Sequence, residues 1–497
     1  MELYEEKLIV AENLEKRLGK SVTIYEQSLT SLGECTLVLV RTGREKYLVA
    51  KGSGPVFDEL QGTTEGSCKI CPANHANRLV LNSYLPYTKP HANISKRPSI
   101  GLGDRLGEAT SGHIQALRTT EVFPIFAQQS VRELTLTGRT FEDVIDKAAY
   151  AVFQEGYTSG YGADGDHLKK REDIEKALQA GVTMITLDSS DLIDNTIFTM
   201  NSQDVDAKYA QVDAQLRLSY EAKYLEQVYT IADQTYTLDA EHLKRDILIY
   251  HRALDFIQSI YEQFIATPIR PLDFEVSIDE TDTPTDAKSH LFIALELKRR
   301  KVAVSTLAPR FIGEFQKGID YRGDLESFEH DLLAHVGIAD QFGYRLSVHS
   351  GSDKFSIFPI LKKCIKGSFH VKTAGTNWLE AMRLVALKDP SLYRKMHQHA
   401  LSRFSDARAF YHVTTDVSAI KALKETEGAD LVHYLDDDNA RQLLHITYGF
   451  LLEDTDGDGN TLFKDAFFTL LAKEERLYAQ LLEKHIGKHL ALLGFAS

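Results

Sequence analysis

Short apolar runs that end in polar or glycine-rich turns recur along the chain from about residue 96, and helical stretches separate them. Runs of this length are typical of buried strands, and strands that alternate with helices indicate parallel βα units. Eight such units predict an α/β fold closed into a (β/α)8 barrel of the TIM type. The predicted strands are Ser99–Gly103, Phe123–Ala127, Gly156–Tyr161, Thr183–Leu187, Phe274–Ile278, Val302–Leu307, Arg345–His349 and Ser368–Lys372.

The pattern changes on both sides of the barrel segment and once within it. Residues 1–95 predict a small α/β domain with a charged helical start followed by strands. We place the barrel at residues 96–377, with a helical insertion at about residues 195–268, where apolar residues recur at helical spacing. Residues 378–497 predict a helical region that either packs on the barrel or reaches its mouth.

A doubly wound open sheet is the structural alternative to a barrel. Such a sheet usually has a glycine-rich phosphate-binding turn after its first strand. The segment Gly101–Gly107 contains three glycines, but the third comes one residue late for that turn. An acidic residue at the expected place after a second strand is also missing. The barrel therefore remains our prediction.

The composition limits the possible partners. The 497 residues are 43% hydrophobic and 26% charged, as in ordinary globular proteins, and the formal net charge is -14. This acidic balance disfavours nucleic acid as a partner, because phosphate requires a basic surface. The first residues do not resemble a signal peptide, and no apolar run approaches the length of a membrane span. We therefore expect a soluble cytoplasmic protein with no membrane partner.

Three further motifs give only weak indications of a metal-binding or redox site. Cys68 and Cys71 form a CxxC without a second pair, so we expect buried side chains rather than a zinc or redox site. The loop Asp454–Asp465 follows the EF-hand pattern at its first positions but ends in Asp rather than Glu, so we expect a solvated loop between helices. His485 and His489 are four residues apart and predict a pair on a helix surface.

Polar residues follow most of the predicted strands, where the functional groups of a barrel cluster. Glu275 lies inside an apolar strand, and a buried carboxylate without a partner is costly, so we expect it to face a metal, a cation or a reacting group. Asp166 and His167 lie in a glycine-rich turn, where turn formation and helix capping are the alternative roles. His370 and Lys372 share one strand face, which disfavours a dry core there.

Four segments at the predicted strand ends contain long and unusual motifs, namely Tyr161–His167, Phe274–Thr285, His349–Phe355 and His370–Thr376. Together they resemble the tagaturonate epimerase family, and the resemblance covers the barrel and the helical tail. It implies a (β/α)8 barrel with a divalent metal and a small sugar-acid substrate. The implied reaction is inversion of C4 in a 2-keto hexuronate, from D-tagaturonate to D-fructuronate, in galacturonate catabolism.

The implied substrate suggests a mechanism. C4 carries a hydroxyl β to the C2 carbonyl, so we hypothesise a retro-aldol cleavage and re-formation of the C3–C4 bond, with direct proton transfer at C4 as the alternative. Imidazole and carboxylate ligands suit Zn, Mn, Fe or Ni. We expect Asp166 and Glu275 to handle protons from opposite sides of the barrel mouth. The expected metal ligands are His167, His349 and His370, and the expected substrate-binding residues are Lys372, Arg132, Arg105 and Gln128.

Two other functions remain open at this point. A metal-dependent sugar aldolase or isomerase on the same barrel would use the same strand-end residues. A calcium- or sugar-binding module would depend on the loop Asp454–Asp465, but it would leave the polar strand ends unexplained.

Overall fold

Five antiparallel strands form the N-terminal part of the chain in the computed structural model, which describes residue 15, residues 21–93 and residues 97–495. The predicted helical start of the chain lies outside the described residues, apart from Glu15. The strands follow the order β1-β2-β3-β5-β4, and the helices α1 (Pro55–Glu59) and α2 (His75–Tyr84) accompany them. Their bounds are β1 Val22–Leu32, β2 Cys35–Thr42, β3 Glu45–Gly52, β4 Thr63–Glu65 and β5 Cys68–Pro72.

Eight parallel strands close into the barrel, which confirms the predicted fold class. Two further strands, β10 and β11, form an antiparallel hairpin in the insertion. Around the barrel the order is β12-β13-β14-β15-β6-β7-β8-β9, and closure pairs β15 with β6. The bounds are β6 Ser99–Gly101, β7 Phe123–Ser130, β8 Gly162–Leu168, β9 Met184–Asp188, β10 Val228–Ile231, β11 Gln234–Thr237, β12 Asp273–Ile278, β13 Thr306–Pro309, β14 Arg345–Val348 and β15 His370–Lys372.

Two of the predicted strands are displaced along the sequence. The predicted strand Gly156–Tyr161 is a turn, because Gly156 and Gly160 adopt φ values of +55° and +83° in the left-handed region. The strand that follows, β8, contains Gly-Ala-Asp-Gly-Asp-His, which in sequence is typical of a turn. The predicted Val302–Leu307 also begins too early, since the observed β13 starts at Thr306.

The helices alternate with the barrel strands and pack outside them. Several begin at a side chain that accepts a hydrogen bond from the helix's own backbone, such as Asp286, whose carboxylate caps the helix beginning at Ala287. The bounds are α3 Thr110–Leu117, α4 Val131–Thr137, α5 Phe141–Gln154, α6 Arg171–Ala180, α7 Ser202–Ala210, α8 Ala214–Tyr224, α9 Ala240–Ile260, α10 Ala287–Arg299, α11 Leu325–Phe342 and α12 Phe358–Cys364. Helices α7 to α9 lie in the insertion, where the hairpin interrupts the predicted all-helical pattern.

The C-terminal region is helical and contacts the barrel in two ways. Helix α18 packs closely on α3, where a Cβ at Gly112 would approach the Cβ of Leu482 to 2.7 Å. Helix α15 reaches the barrel mouth, and its Arg441 donates to the carbonyl oxygen of Gly318 at 2.7 Å. None of the described helices is long and apolar enough to cross a membrane. The bounds are α13 Thr376–Lys388, α14 Pro390–Ala407, α15 Asp438–Ile446, α16 Tyr448–Glu453, α17 Lys464–Lys473 and α18 Glu475–Leu493.

The predicted surface pair His485 and His489 is wrong. His489 is fully buried, and the Nε2 atom of His485 lies 2.8 Å from the carboxylate of Asp353. The Nε2 atom of His489 accepts a hydrogen bond from the Asp353 backbone N–H at 3.0 Å. The spacing places both histidines on one helix face, as predicted, but that face packs against the loop after β14.

The two other weak motifs have structural partners. Cys68 and Cys71 lie three positions apart on β5, so they point to opposite faces of the sheet. The carboxylate of Asp454 is held by His399 and Arg403, each at 2.7 Å. Among the described residues, no group of potential metal ligands includes either motif. The structure therefore offers no support for a calcium-binding module.

Candidate active site

Lys372 lies inside the barrel at the centre of three carboxylates. Its Nζ atom is 3.1 Å from Asp164, 2.6 Å from Asp166 and 2.9 Å from Glu275. It also donates to the Thr186 hydroxyl at 2.6 Å. The carboxylates come from β8 and β12, and the lysine comes from β15, so barrel closure is what brings the four charges together.

Neutral side chains also donate hydrogen bonds to two of these carboxylates. Glu275 is fully buried and accepts from Thr306 at 2.6 Å. Asp164 accepts from the amide of Gln128 at 3.0 Å. Gln128 pairs with Asp164 on the neighbouring strand. Its amide lies against Gly101, where a Cβ would approach the amide oxygen to 2.2 Å, so the missing side chain leaves room for it. Buried charges are tolerated in this way when they are paired and hydrogen-bonded.

Burial and pairing set the charges of this cluster. Burial alone would lower the pKa of Lys372, but the three carboxylates raise it well above its usual value. Burial would raise the pKa of Glu275 and of Asp166, yet Lys372 holds both well below their usual range. For Asp164 burial outweighs the lysine and raises its pKa to about 6. At neutral pH the lysine, Glu275 and Asp166 are therefore ionised.

His167, His349 and Asp279 lie together at the barrel mouth. The Nδ1 atom of His349 is 3.1 Å from Oδ1 of Asp279, and the Nε2 atom of His167 is 3.9 Å from the same oxygen. The two imidazole rings are 4.8 Å apart between centroids. His167 has a left-handed backbone with φ of 52°, which is uncommon for a residue with a side chain and is often found at functional sites.

The other ring nitrogen of each histidine faces a carboxylate of the lysine cluster. Nδ1 of His167 is 2.9 Å from Asp166, and Nε2 of His349 is 2.7 Å from Glu275. Metal-binding histidines usually donate their second N–H to a carboxylate in this manner, which leaves the first nitrogen free to bind the ion. The residues present therefore fit a divalent cation between the two histidines and Asp279.

Without a bound cation, protons on the imidazoles offset the negative charge of the neighbouring carboxylates. Burial alone would lower the pKa of His167, but Asp166 raises it to about 10. Burial would raise the pKa of Asp279, but His349 and His167 hold it below its usual value. Binding of a cation here would thus displace protons from the imidazoles, because a ligating nitrogen must be unprotonated.

Two other groups of potential ligands are already filled. In the group of His167, Asp188 and Glu280, the ammonium of Lys169 lies 3.5 Å from Asp188 and 3.4 Å from Glu280. In the group of Asp353, His485 and His489, Asp353 is paired with the guanidinium of Arg441 at 2.7 Å. A resident cationic side chain disfavours a metal ion in either place.

The predicted metal ligand His370 lies away from His167 and His349. It precedes Lys372 by two residues, so it lies about 7 Å deeper along the strand. Its Nδ1 atom is 2.9 Å from the Ser99 hydroxyl, and burial lowers its pKa to about 3. Asp279, which the period of β12 places on the same face as Glu275, occupies the third position instead.

A cavity of about 590 Å³ opens above this group. Asp166, His167, His349, Lys372 and Gln128 line it, whereas Glu275 lies behind the lysine and does not reach it. We predicted that Asp166 and Glu275 face each other across the barrel mouth. In the structure they instead bind the same ammonium group from two different strands.

Three cationic side chains also line the cavity, and we call Arg105, Arg132 and Lys317 its cationic wall. Arg105 forms two hydrogen bonds to Glu133, one of them at 2.8 Å. The guanidinium of Arg132 lies 5.0 Å above the ring of Tyr411. Lys317 completes this wall. The predicted positions Arg105 and Arg132 thus lie in one cavity with the histidines.

Sequence reasoning missed several lining residues. Tyr411 and His445 come from the helical tail, and Lys317 comes from the loop after β13. A search limited to residues that follow the predicted barrel strands cannot find residues of the tail. Lys317 lies eight positions beyond its strand, and without the structure nothing distinguishes it from a solvated lysine.

Comparisons with known proteins agree with this geometry. A family model described as tagaturonate epimerase matches residues 25–493. The tagaturonate/fructuronate epimerase of Thermotoga maritima is 39% identical over 480 residues, which cover 96% of this chain and 98% of that protein. The chain belongs to the tagaturonate epimerase family. The resemblance stated from the strand-end motifs is thereby confirmed, and the chain is an isomerase.

Solved structures of the family show the same architecture. The glycerol complex of the fructuronate-tagaturonate epimerase from Cohnella laeviribosi is 51% identical, has a TM-score of 0.95, and covers 98% of this chain and 99% of its own. Its native crystal structure is 50% identical with the same TM-score and coverage. The barrel and the helical tail are therefore shared with that enzyme.

Replacing Lys372 by Met should destabilise the metal-free epimerase by about 3 to 5 kcal/mol, because three buried carboxylates lose their cation. Their folded pKa values then rise above the unfolded values, so the folded variant gains protons on acidification. The loss in free energy of unfolding relative to wild type should be larger at pH 8 than at pH 5.5. Urea unfolding of EDTA-treated protein measures this loss.

Lys169→Met is the matched control, because Lys169 is one-third exposed and should contribute at most about 1 kcal/mol. A Lys372→Met deficit no larger than that of the control, or one that does not shrink at pH 5.5, would contradict the assigned charges.

Proposed function

We propose that this chain interconverts D-tagaturonate and D-fructuronate by inverting C4, with a divalent cation bound by His167, His349 and Asp279. The observation that carries the metal assignment is the pairing of each histidine with a carboxylate through one nitrogen, while the other nitrogen faces Asp279. The substrate assignment rests on the activity named for the relatives.

The ligand chemistry narrows the choice of ion. Two imidazoles and one carboxylate suit Zn, Mn, Fe or Ni better than Mg or Ca. When bound, such a cation supplies Lewis acidity to substrate oxygens. We assign Asp166 and Glu275 to orienting the two histidines, which revises the predicted catalytic role of Glu275.

The reaction follows from the position of C4. Proton exchange next to the C2 carbonyl cannot invert C4, which is two carbons away. A base that takes the proton of the C4 hydroxyl allows the C3–C4 bond to break, with its electron pair passing into a C2–C3 enediolate. C4 becomes an aldehyde carbon, turns about the C4–C5 bond, and is attacked by C3 on its other face. The proton then returns to the new C4 alkoxide.

Asp166 is the best-placed base. It lines the cavity and is ionised, and its Oδ1 atom accepts from Lys372 at 2.6 Å. Lys372 holds the carboxylate of Asp166 in place through this hydrogen bond, so we assign Lys372 to positioning Asp166. Three carboxylates already neutralise its ammonium, which argues against the predicted role of Lys372 in binding the substrate carboxylate. The cationic wall of Arg105, Arg132 and Lys317 suits that group.

Metal removal tests the proposed cofactor. Complete chelation by EDTA should abolish conversion of D-tagaturonate to D-fructuronate, and adding back one of the candidate ions should restore it. The measurement is product formation by chromatography on mock-treated, chelated and reconstituted protein. Full activity in protein shown to be free of metal would refute the proposed cation.

Isotope incorporation tests the bond-breaking step. In D2O, a retro-aldol route breaks only O–H and C–C bonds at C4, so the product should carry no solvent deuterium at that carbon. Direct proton abstraction from C4 would introduce it. NMR of fructuronate isolated after partial conversion distinguishes the two routes, and about one deuterium per turnover at C4 would exclude the retro-aldol route.

A further inference from the structure

Lys317 is a half-buried cation in the wall of the cavity. Its Nζ atom donates to the neutral hydroxyl of Ser350 at 3.0 Å. Within the described part of the chain, no carboxylate lies within ion-pair distance of this ammonium. Burial, and then the neighbouring Arg105 and Arg132, lower the pKa of Lys317. A desolvated cation without a counter-ion is costly, and an anionic ligand in the cavity would offset that cost.

The other two cations of the wall differ from Lys317. Arg105 is already neutralised by Glu133 and stacks on the ring of Tyr448 at 4.4 Å. Arg132 is exposed at the rim of the cavity and lies over Tyr411. Of these three described side chains, Lys317 combines burial with a free charge, so it has the most to gain from an anion.

The loop that carries Lys317 is fixed on both sides. The fully buried ammonium of Lys354 donates to the carbonyl oxygens of Gln316 at 2.8 Å and Ile319 at 2.6 Å. Arg441 of helix α15 donates to the carbonyl of Gly318 at 2.7 Å. A loop held in this way pays little ordering entropy when a ligand binds, so its ammonium is pre-organised for recognition.

Ser350 connects Lys317 to the proposed metal site. Ser350, which accepts from Lys317, directly follows the proposed metal ligand His349 in the chain. In a 2-keto hexuronate the C6 carboxylate lies two carbons beyond the reacting C4. A substrate with C2 to C4 at the histidines can therefore extend its carboxylate towards Lys317 within the same cavity.

We propose that Lys317 is the specificity-determining residue that pairs with the C6 carboxylate and distinguishes a hexuronate from a neutral ketohexose. This inference rests on the proposed function. A charge-assisted hydrogen bond formed equally in the ground and transition states changes KM rather than kcat.

Steady-state kinetics of Lys317→Met test the inference. KM for D-tagaturonate should rise about 10- to 100-fold, the loss typical of one hydrogen bond to a charged group, while kcat stays within about threefold. Lys317→Arg keeps the charge and should recover a large part of the affinity. The thermal midpoint of neither variant should fall below that of wild type, because Lys317 makes one hydrogen bond to a neutral partner and its desolvated charge does not stabilise the fold.

Arg132→Met is the matched control on the same wall, and its KM should rise less than that of Lys317→Met. The inference is overturned if the KM of Lys317→Met stays within about twofold of wild type. It is also overturned if kcat falls as much as KM rises, or if the Arg132 variant shows the larger KM.

Binding separates this inference from the proposed function. If the wild type does not epimerise D-tagaturonate, the proposed function fails, and calorimetric titration of wild type and Lys317→Met with D-tagaturonate still tests the contact. Equal affinity of the two proteins would overturn the inference on its own. Weaker binding by the variant would support it.

Discussion

The pairing of Lys372 with Asp164, Asp166 and Glu275 is the interaction on which the site depends. Three carboxylates cannot remain ionised inside a barrel without a cation, because desolvation would protonate them or unfold the chain. The lysine keeps Asp166 and Glu275 charged. Each of these two carboxylates then holds one histidine at the mouth. The proposed metal site is in this sense the outer layer of a buried ion-pair cluster.

The helical tail contributes to the active-site cavity together with the barrel. The barrel strands and their C-terminal ends supply the carboxylates, the lysine and the histidines. Helix α15 holds the loop after β13, and the tail contributes Tyr411 and His445 to the cavity lining. We propose that the strand ends carry the chemistry, while Lys317, on the loop that the tail holds, recognises the acid group.

The barrel could be predicted from the sequence because apolar strands and helices alternate with little ambiguity. One exception is β8, whose sequence is typical of a turn. It forms a strand between β7 and β9, and Lys372 pairs with both of its aspartates. The depth of a side chain along the barrel is harder to predict than the strand face on which it lies. His370 and Lys372 share a face, yet only Lys372 reaches the level of the cavity. Barrel closure sets that level.

Long-range packing explains the other misses. His485 and His489 were expected on a surface, and their helix face is buried by Asp353, more than a hundred residues away in the chain. Lys317 gains significance only from its neighbours across the cavity. The spacing of residues along the chain shows which side chains share a face of a helix or strand. The tertiary structure decides what packs against that face.

Anomalous diffraction at the absorption edge of the bound metal tests the central claim most directly. We expect one strong peak in each chain, about 2.0 to 2.2 Å from a nitrogen of His167, a nitrogen of His349 and an oxygen of Asp279. A peak between Asp188 and Glu280, with Lys169 displaced, would contradict it. So would metal-saturated, active crystals with no peak at the histidines.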